Sequence, residues 1–167
     1  MFITKSLNIT EVPGTDLWKL NDHLVYQGRD HQFLVPAGFA SDFATIPMFV
    51  QSLIPITGAH SKAAILHDFL LAGLRSHYRG ISPHAPVSSV DADGIFRRTM
   101  RESGVKFVRR WLMWTGVRWG ALFKPYRRAG WWQDGWKAIL ISIPAAPVFA
   151  VLLLVNGTLG LIERMLP

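Results

Sequence analysis

Cysteine is absent from the 167-residue chain. A disulfide framework and a thiolate metal site are therefore both excluded, and a reducing compartment is the natural expectation. Acid is scarce in one stretch: residues 97–137 hold eleven Lys or Arg against Glu102 and Asp134, a local charge of +9, whereas the rest carries seven basic and nine acidic residues. The net charge of +7 is thus a local feature rather than a property of the whole surface. Formal charge of either sign is missing from the 25 residues 138–162. An apolar run is missing at the N-terminus, where "MFITKSLNITEV" has no core of signal-peptide length. The expectation is a protein anchored through its C-terminal region.

What is present fits that anchor. Residues 138–162 contain "AILISIPAAPVFAVLLLV", and 25 helical residues reach about 37 Å, enough for a hydrocarbon core of roughly 30 Å. Pro144 and Pro147 are unusual in a soluble helix but tolerated in a membrane one. Upstream lies the basic, Trp-rich "KPYRRAGWWQDGWK", and downstream only Glu163 and Arg164 are charged. Positive-inside logic places the N-terminal domain in the cytoplasm, at the inner membrane of a bacterial host. The competing reading is a buried hairpin broken at Asn156-Gly157. These boundaries divide the chain into a soluble domain (1–122), a juxtamembrane segment (123–137), a span (138–162) and a short tail (163–167). Because the basic residues crowd against the span, anionic lipid is a better partner for them than nucleic acid.

The first 50 residues read as short strands and turns, with "LWKLNDHLVYQ" and "HQFLVPAGF" separated by "GRD" as a hairpin. "VPAGFASDFATIPMFV" reads as a loop punctuated by Pro36, Gly38 and Pro47. A helix is expected over 60–75. A second is expected in "SSVDADGIFRRTMRESG", capped by Ser88 or Ser89 and ended by Gly104, and a third in "VKFVRRWLMWTGVRWGALF". In the third, Lys106, Arg109, Arg110 and Arg118 suit an anionic leaflet, with Trp111 and Trp114 turned inward. The fold class is α+β, a small antiparallel strand region packed on about three helices and followed by a transmembrane helix.

Within the first helix, "AAILHDFLLAGL" sets His67 and Asp68 in apolar surroundings: Ala63, Leu70, Leu71 and Leu74 share the His67 face. Asp93 in the second helix shares a face with Phe96, Arg97 and Met100, and Asp42 stands between apolar residues in "SDFATIP". Polar groups on inward faces need partners, so these four are expected to converge. A carboxylate on an imidazole fixes its tautomer and raises its basicity, which suits His67 as general base and Asp93 as its partner. Asp42 and Asp68 would then bind a divalent cation: calcium, magnesium or zinc. The bland alternative is a structural His67–Asp93 bond. His60 is a weaker auxiliary, and His23, His31, His77 and His84 read as surface residues.

The blocks "VPAGFASDFATIP", "AAILHDFLL", "DADGIFRRTMRESGV" and "MWTGVRWGA", in order over residues 30–121, resemble the domain of unknown function 1353 family of phage and prophage proteins. The resemblance implies such an origin and points to Asp42, His67, Asp68 and Asp93 as the family's polar positions; it supplies no activity. Where that family often carries a Tyr, this chain has Leu71. At the level of a short motif, the His-Asp pair with a distant Asp is also similar to secreted phospholipases of the A-two class, although their disulfides and glycine-rich calcium loop are missing. The His-Asp metal-dependent phosphohydrolases resemble "AAILHDFLL" too, but His31 and His60 fit their upstream ligand poorly. The resulting expectation is a membrane-anchored phage protein with a metal-assisted, hydrolase-like site for a lipid or other ester. Its alternative is a structural or interaction module that meets a phage or host envelope protein.

Overall fold

The computed structural model describes residues 1–43, 54–55 and 57–165. Five short strands come first: β1 (Ile9–Glu11), β2 (Trp18–Leu20), β3 (Leu24–Gln27), β4 (Gln32–Val35) and β5 (Ala40–Ser41). β3 and β4 form the expected hairpin, pairing Leu24 with Val35 and Gln27 with Gln32. Its turn closes through Gly28 N–H donating to the His31 carbonyl at 2.9 Å. Leu24 and Tyr26 point into the core while Gln27 is exposed, the alternation a half-buried strand requires.

The other sheet has the order β1-β2-β5, all antiparallel. Here the structure adds a strand to the segment expected to be loop. The turn through Gly38, at φ 85°, folds the chain back along β2, where Gly38 N–H donates to Leu20 O at 2.7 Å and Leu20 N–H to Phe39 O at 2.9 Å. The later part of that loop, including Pro47, lies outside the described residues.

Four helices complete the domain and its approach to the C-terminal helix: α1 (Ser61–Tyr78), α2 (Ser89–Glu102), α3 (Phe107–Leu122) and α4 (Pro125–Arg128). Ser88 caps α2, its hydroxyl accepting from Asp91 N–H at 3.1 Å, and Gly104 follows the helix in the left-handed region at φ 78°. α1 packs on α2, β4, β5 and α4, which explains why it is apolar nearly all round. Leu24, Tyr26 and Val35 from the strands meet Ile65, Leu66 and Leu70 of α1 and Phe96 and Met100 of α2 in one core.

α5 (Trp131–Met165) runs unbroken through Pro144, Pro147 and Asn156-Gly157, so the hairpin alternative does not hold. It is long and apolar enough to cross a membrane, and only 6 % of its most apolar stretch is buried against the protein. Its polar side chains bond to its own carbonyls, Ser142 Oγ to Ala138 O at 2.8 Å and Asn156 Nδ2 to Leu152 O at 2.8 Å, as a helix in hydrocarbon must arrange. The first half of α5 packs on α3. Trp131 is buried there, while Trp132 and Trp136 are exposed.

Candidate functional site

Asp93 is 0 % exposed. An isolated carboxylate at that depth would not stay ionised, and this one collects four charge-assisted contacts. His67 Nε2 lies 2.7 Å from Oδ1, Arg118 Nη1 donates to Oδ2 at 2.7 Å, and Arg127 Nη2 donates to Oδ1 at 2.6 Å and Oδ2 at 2.8 Å. Both arginines are buried and have their remaining donors occupied in part by backbone: Arg118 Nη2 reaches Gly130 O at 3.0 Å and Arg127 Nη2 reaches Val117 O at 3.1 Å. Arg127 Nε also bonds Ser89 Oγ at 3.3 Å. Arg118 Nη2 is 2.9 Å from Asp134 Oδ1, close enough to pair charges but without hydrogen-bond alignment. Asp93 therefore ties α1, α3 and α4 to α2. Burial alone would push its carboxyl up; the hydrogen bond and charge of His67, then Arg127 and Arg118, outweigh that and hold it below the ordinary carboxylate range.

The two arginines were absent from the expected cluster. Arg118 in particular is not on a leaflet-facing surface as its basic helix suggests; it is sealed against Asp93, with Trp114, Thr115 and Ala121 buried beside it on α3. Trp114 does turn inward, and Trp111 is half-buried.

His67 faces two environments. Its ring stacks on Phe96 at 4.8 Å, and its Nε2 is committed to Asp93. An ionised carboxylate only accepts hydrogen bonds, so Nε2 carries the proton and Nδ1 of the neutral ring holds the lone pair. No described residue takes that Nδ1, and the ring lines a cavity of about 810 Å³ between α1, α3 and α5. Asp42 and Asp68 line the same cavity. Asp42 is exposed rather than inward as the sequence suggested, and with the exposed Gly116 it marks the mouth.

Asp68 is the opposite of Asp93. It is half-buried and accepts a short hydrogen bond from Ser41 Oγ, but no arginine reaches it. Burial pushes its pKa up to about 6; Ser41 and His67 pull it down, and the neighbouring Asp42 adds to the rise. The β5 end that carries Ser41 and Asp42 is held under strain. Phe43 sits at φ 58°, a left-handed conformation that costs a bulky residue about 1–2 kcal/mol. Its complete burial, its contact with Trp18 at 5.9 Å and its N–H bond to Ser41 Oγ at 3.1 Å hold it there.

The structure thus brings His67, Asp68 and Asp42 to one cavity and sets Asp93 behind His67. The rest of the lining mixes small and apolar residues (Gly116 and Gly120 from α3, Ala145, Ala146 and Phe149 from α5, and Leu71, where the family often carries a Tyr) with the polar Thr115, Ser142, Lys124 and Arg127. A Cβ at either glycine would meet nothing within 4 Å. Thr115 Oγ1, also on this lining, is buried without a hydrogen-bond partner among the described residues. Among those residues no group of three or more His, Asp or Glu is placed to hold a metal ion. His60 is buried at the N-cap of α1, and His23, His31, His77 and His84 are exposed, as expected of them.

No curated protein and no solved structure matches the chain. A family model described as "Protein of unknown function (DUF1353)" matches residues 18–117, more than half of the chain. Asp42, His67, Asp68 and Asp93 all fall inside that match, whereas Arg118, Arg127 and α5 lie beyond it. The chain belongs to this family of proteins of unknown function, with a long apolar helix following the shared block.

Proposed function

We propose that the protein is a membrane-anchored, hydrolase-like enzyme acting on an amphiphilic ester, with its domain on the cytoplasmic side of a bacterial inner membrane. The observation that carries this reading is the make-up of the cavity. Its polar end holds His67, Asp68 and Asp42, and its far wall is the face of α5 bearing Ser142, Ala145 and Phe149. A ligand with a polar group and an apolar chain satisfies both ends, and the unpartnered Thr115 hydroxyl offers its headgroup a further hydrogen bond.

In this reading His67 Nδ1 takes a proton from water, and the water oxygen adds to the ester carbonyl carbon. The C–O bond to the leaving alcohol then breaks, and the alkoxide receives the proton that His67 took up. Asp93 holds the tautomer and stabilises the imidazolium as it forms. Asp42 and Asp68 are the residues that would hold a divalent cation. Two carboxylates match the habit of magnesium, which keeps most of its waters, better than a calcium shell or a zinc site. Bound there, magnesium would supply polarisation of the carbonyl.

One observation favours a second reading: Asp93 is so fully satisfied that it serves as an internal staple whether or not the cavity reacts. The domain would then be an interaction module, delivered to the membrane by α5 in a phage or prophage context. Full-length protein in phosphatidylcholine vesicles, assayed on p-nitrophenyl octanoate and p-nitrophenyl acetate, separates the two. The enzyme reading predicts hydrolysis that favours the longer chain and falls at least a hundredfold in His67→Gln, which keeps a donor for Asp93 but has no basic atom. Equal rates for wild type and His67→Gln, in protein of equal folded fraction, would leave the interaction module.

A further inference from the structure

The acid-poor stretch is not used up by the Asp93 network. Arg97, Arg98 and Arg101 project from α2, with Arg97 and Arg101 one turn apart. Together with Arg110 of α3 and Arg29 of the β3–β4 turn they line a groove of about 840 Å³ that shares no lining residue with the His67 cavity. Among the described residues none of these five arginines forms an ion pair. Two of the acids on the same lining are already engaged. Asp91 accepts from the Ser88 hydroxyl at 2.6 Å, and Asp134 lies 2.9 Å from Arg118. Asp30, on the hairpin turn, is the third.

Arg97 is fixed at the centre. Its guanidinium lies over the Trp111 ring at 4.2 Å and the Trp114 ring at 5.3 Å. Stacking of this kind orients the planar fork and leaves its edge for a bidentate oxyanion. The groove is also electrostatically unfilled. Burial holds Arg97 below the ordinary range for a guanidinium; Asp134 opposes that, and Arg110 and Arg101 add to it by repulsion.

The surroundings identify the anion. Phe107 and Trp111 line both this groove and a second, apolar one of about 650 Å³, which follows α5 along Leu140, Pro144 and Val148. Phe107 and Val108 at the start of α3 are two-thirds exposed there. A basic pocket thus runs into an apolar trough on the helix that crosses the membrane. A nucleic acid has no use for the trough, and a free phosphate has none either. We infer that these two grooves form a binding site for an anionic phospholipid, its phosphate among Arg97, Arg101 and Arg110 and an acyl chain along α5.

The test uses the full chain in a neutral detergent, with tryptophan fluorescence as the readout and dihexanoyl phosphatidylglycerol as the probe. Glycerol 3-phosphate, dihexanoyl phosphatidylcholine and a DNA oligonucleotide are the comparison ligands. Saturable binding of phosphatidylglycerol, at least tenfold tighter than either small comparison ligand, is expected. Arg97→Gln/Arg101→Gln should weaken it about tenfold or more, as loss of charge-assisted hydrogen bonds does. Val108→Asp should weaken the lipid but not glycerol 3-phosphate, and Arg79→Gln, outside the groove, should change nothing. If the double variant fails to fold, Arg110→Gln on α3 makes the same test. Binding that ignores all the groove variants overturns the site. Equal affinity for glycerol 3-phosphate or phosphatidylcholine overturns the anionic-lipid assignment, as does tighter binding of the oligonucleotide.

Discussion

Asp68 and Asp93 lie within reach of the same imidazole, yet the fold treats them in opposite ways. Asp93 is sealed, receives two guanidinia and a histidine, and is kept ionised. Asp68 lines a cavity and sits beside another acid; its burial, with the neighbouring Asp42, outweighs the Ser41 hydroxyl and His67 and holds its proton up to about pH 6. The difference is one of counter-charge, and it sets which carboxyl the fold keeps ionised and which it lets hold its proton closer to neutrality. The fully buried Asp93 is surrounded by fixed cations; Asp68 receives one hydroxyl and no cation, and under the proposed function that is what suits it to proton exchange. One helix, α1, carries both environments on adjacent residues because successive side chains point about 100° apart.

The comparison can be broken from its strong side first. Asp93→Ala leaves the buried Arg127 without its counter-ion and Arg118 with only the misaligned Asp134, and should cost about 3–5 kcal/mol, read as a fall in unfolding midpoint of the full-length protein in detergent. If the variant loses less than about 1 kcal/mol, the network does not hold the helices together.

The weak side predicts a change of the opposite sign. A carboxyl whose folded pKa is raised binds its proton more tightly when folded, so stability falls as pH rises from the unfolded value, near 4, to about 6. Asp93, held low, contributes stability that is present above the unfolded value and lost as pH falls through its folded pKa. Asp68→Asn should therefore abolish the decline between about pH 4 and 6 and stabilise the protein by about 1–2 kcal/mol at pH 7, checked by thermal melts at pH 4.5 and 7. A melt that loses stability at both pH values would show that Asp68 is paired in a way this account lacks.

The smallest effect on stability is expected at the mouth. Gly116→Leu puts a good helix former into open space, so stability should change by about 0.5–1 kcal/mol in the favourable direction. The same side chain fills the cavity, and octanoyl ester hydrolysis should drop at least tenfold if that space receives the chain. Undiminished hydrolysis would place the substrate elsewhere.

Much of this was legible in the residues. The Ser88 cap, the "GRD" turn and the apolar period gave the hairpin and the helices, and the isolated polar residues on apolar faces gave His67, Asp68 and Asp93. The arginines were hidden by their own abundance: in a stretch of +9, Arg118 and Arg127 read as a solvated face. For Arg118 a signal existed, because its helical neighbours Trp114, Thr115 and Ala121 are as unsuited to a free charge as those of His67. Arg127 had none; it sits in a helix of four residues, too short for a period to show. The strand β5 escaped because its two residues are recruited by backbone pairing to β2 rather than by a pattern of their own. That α5 would wall the cavity was likewise beyond reach, since side-chain period on a helix apolar all round does not say which face meets α3.

That the two carboxyls beside His67 are driven apart, Asp93 held ionised and Asp68 holding its proton up to about pH 6, is read out by a carboxyl-carbon NMR titration of the full-length protein in detergent micelles, with Asp68→Asn and Asp93→Asn used for assignment. The account predicts that the Asp68 resonance titrates near pH 6 and that Asp93 stays ionised to below the ordinary carboxylate range. An Asp68 that titrates at the ordinary value near 4, or an Asp93 that takes up its proton first, would contradict it.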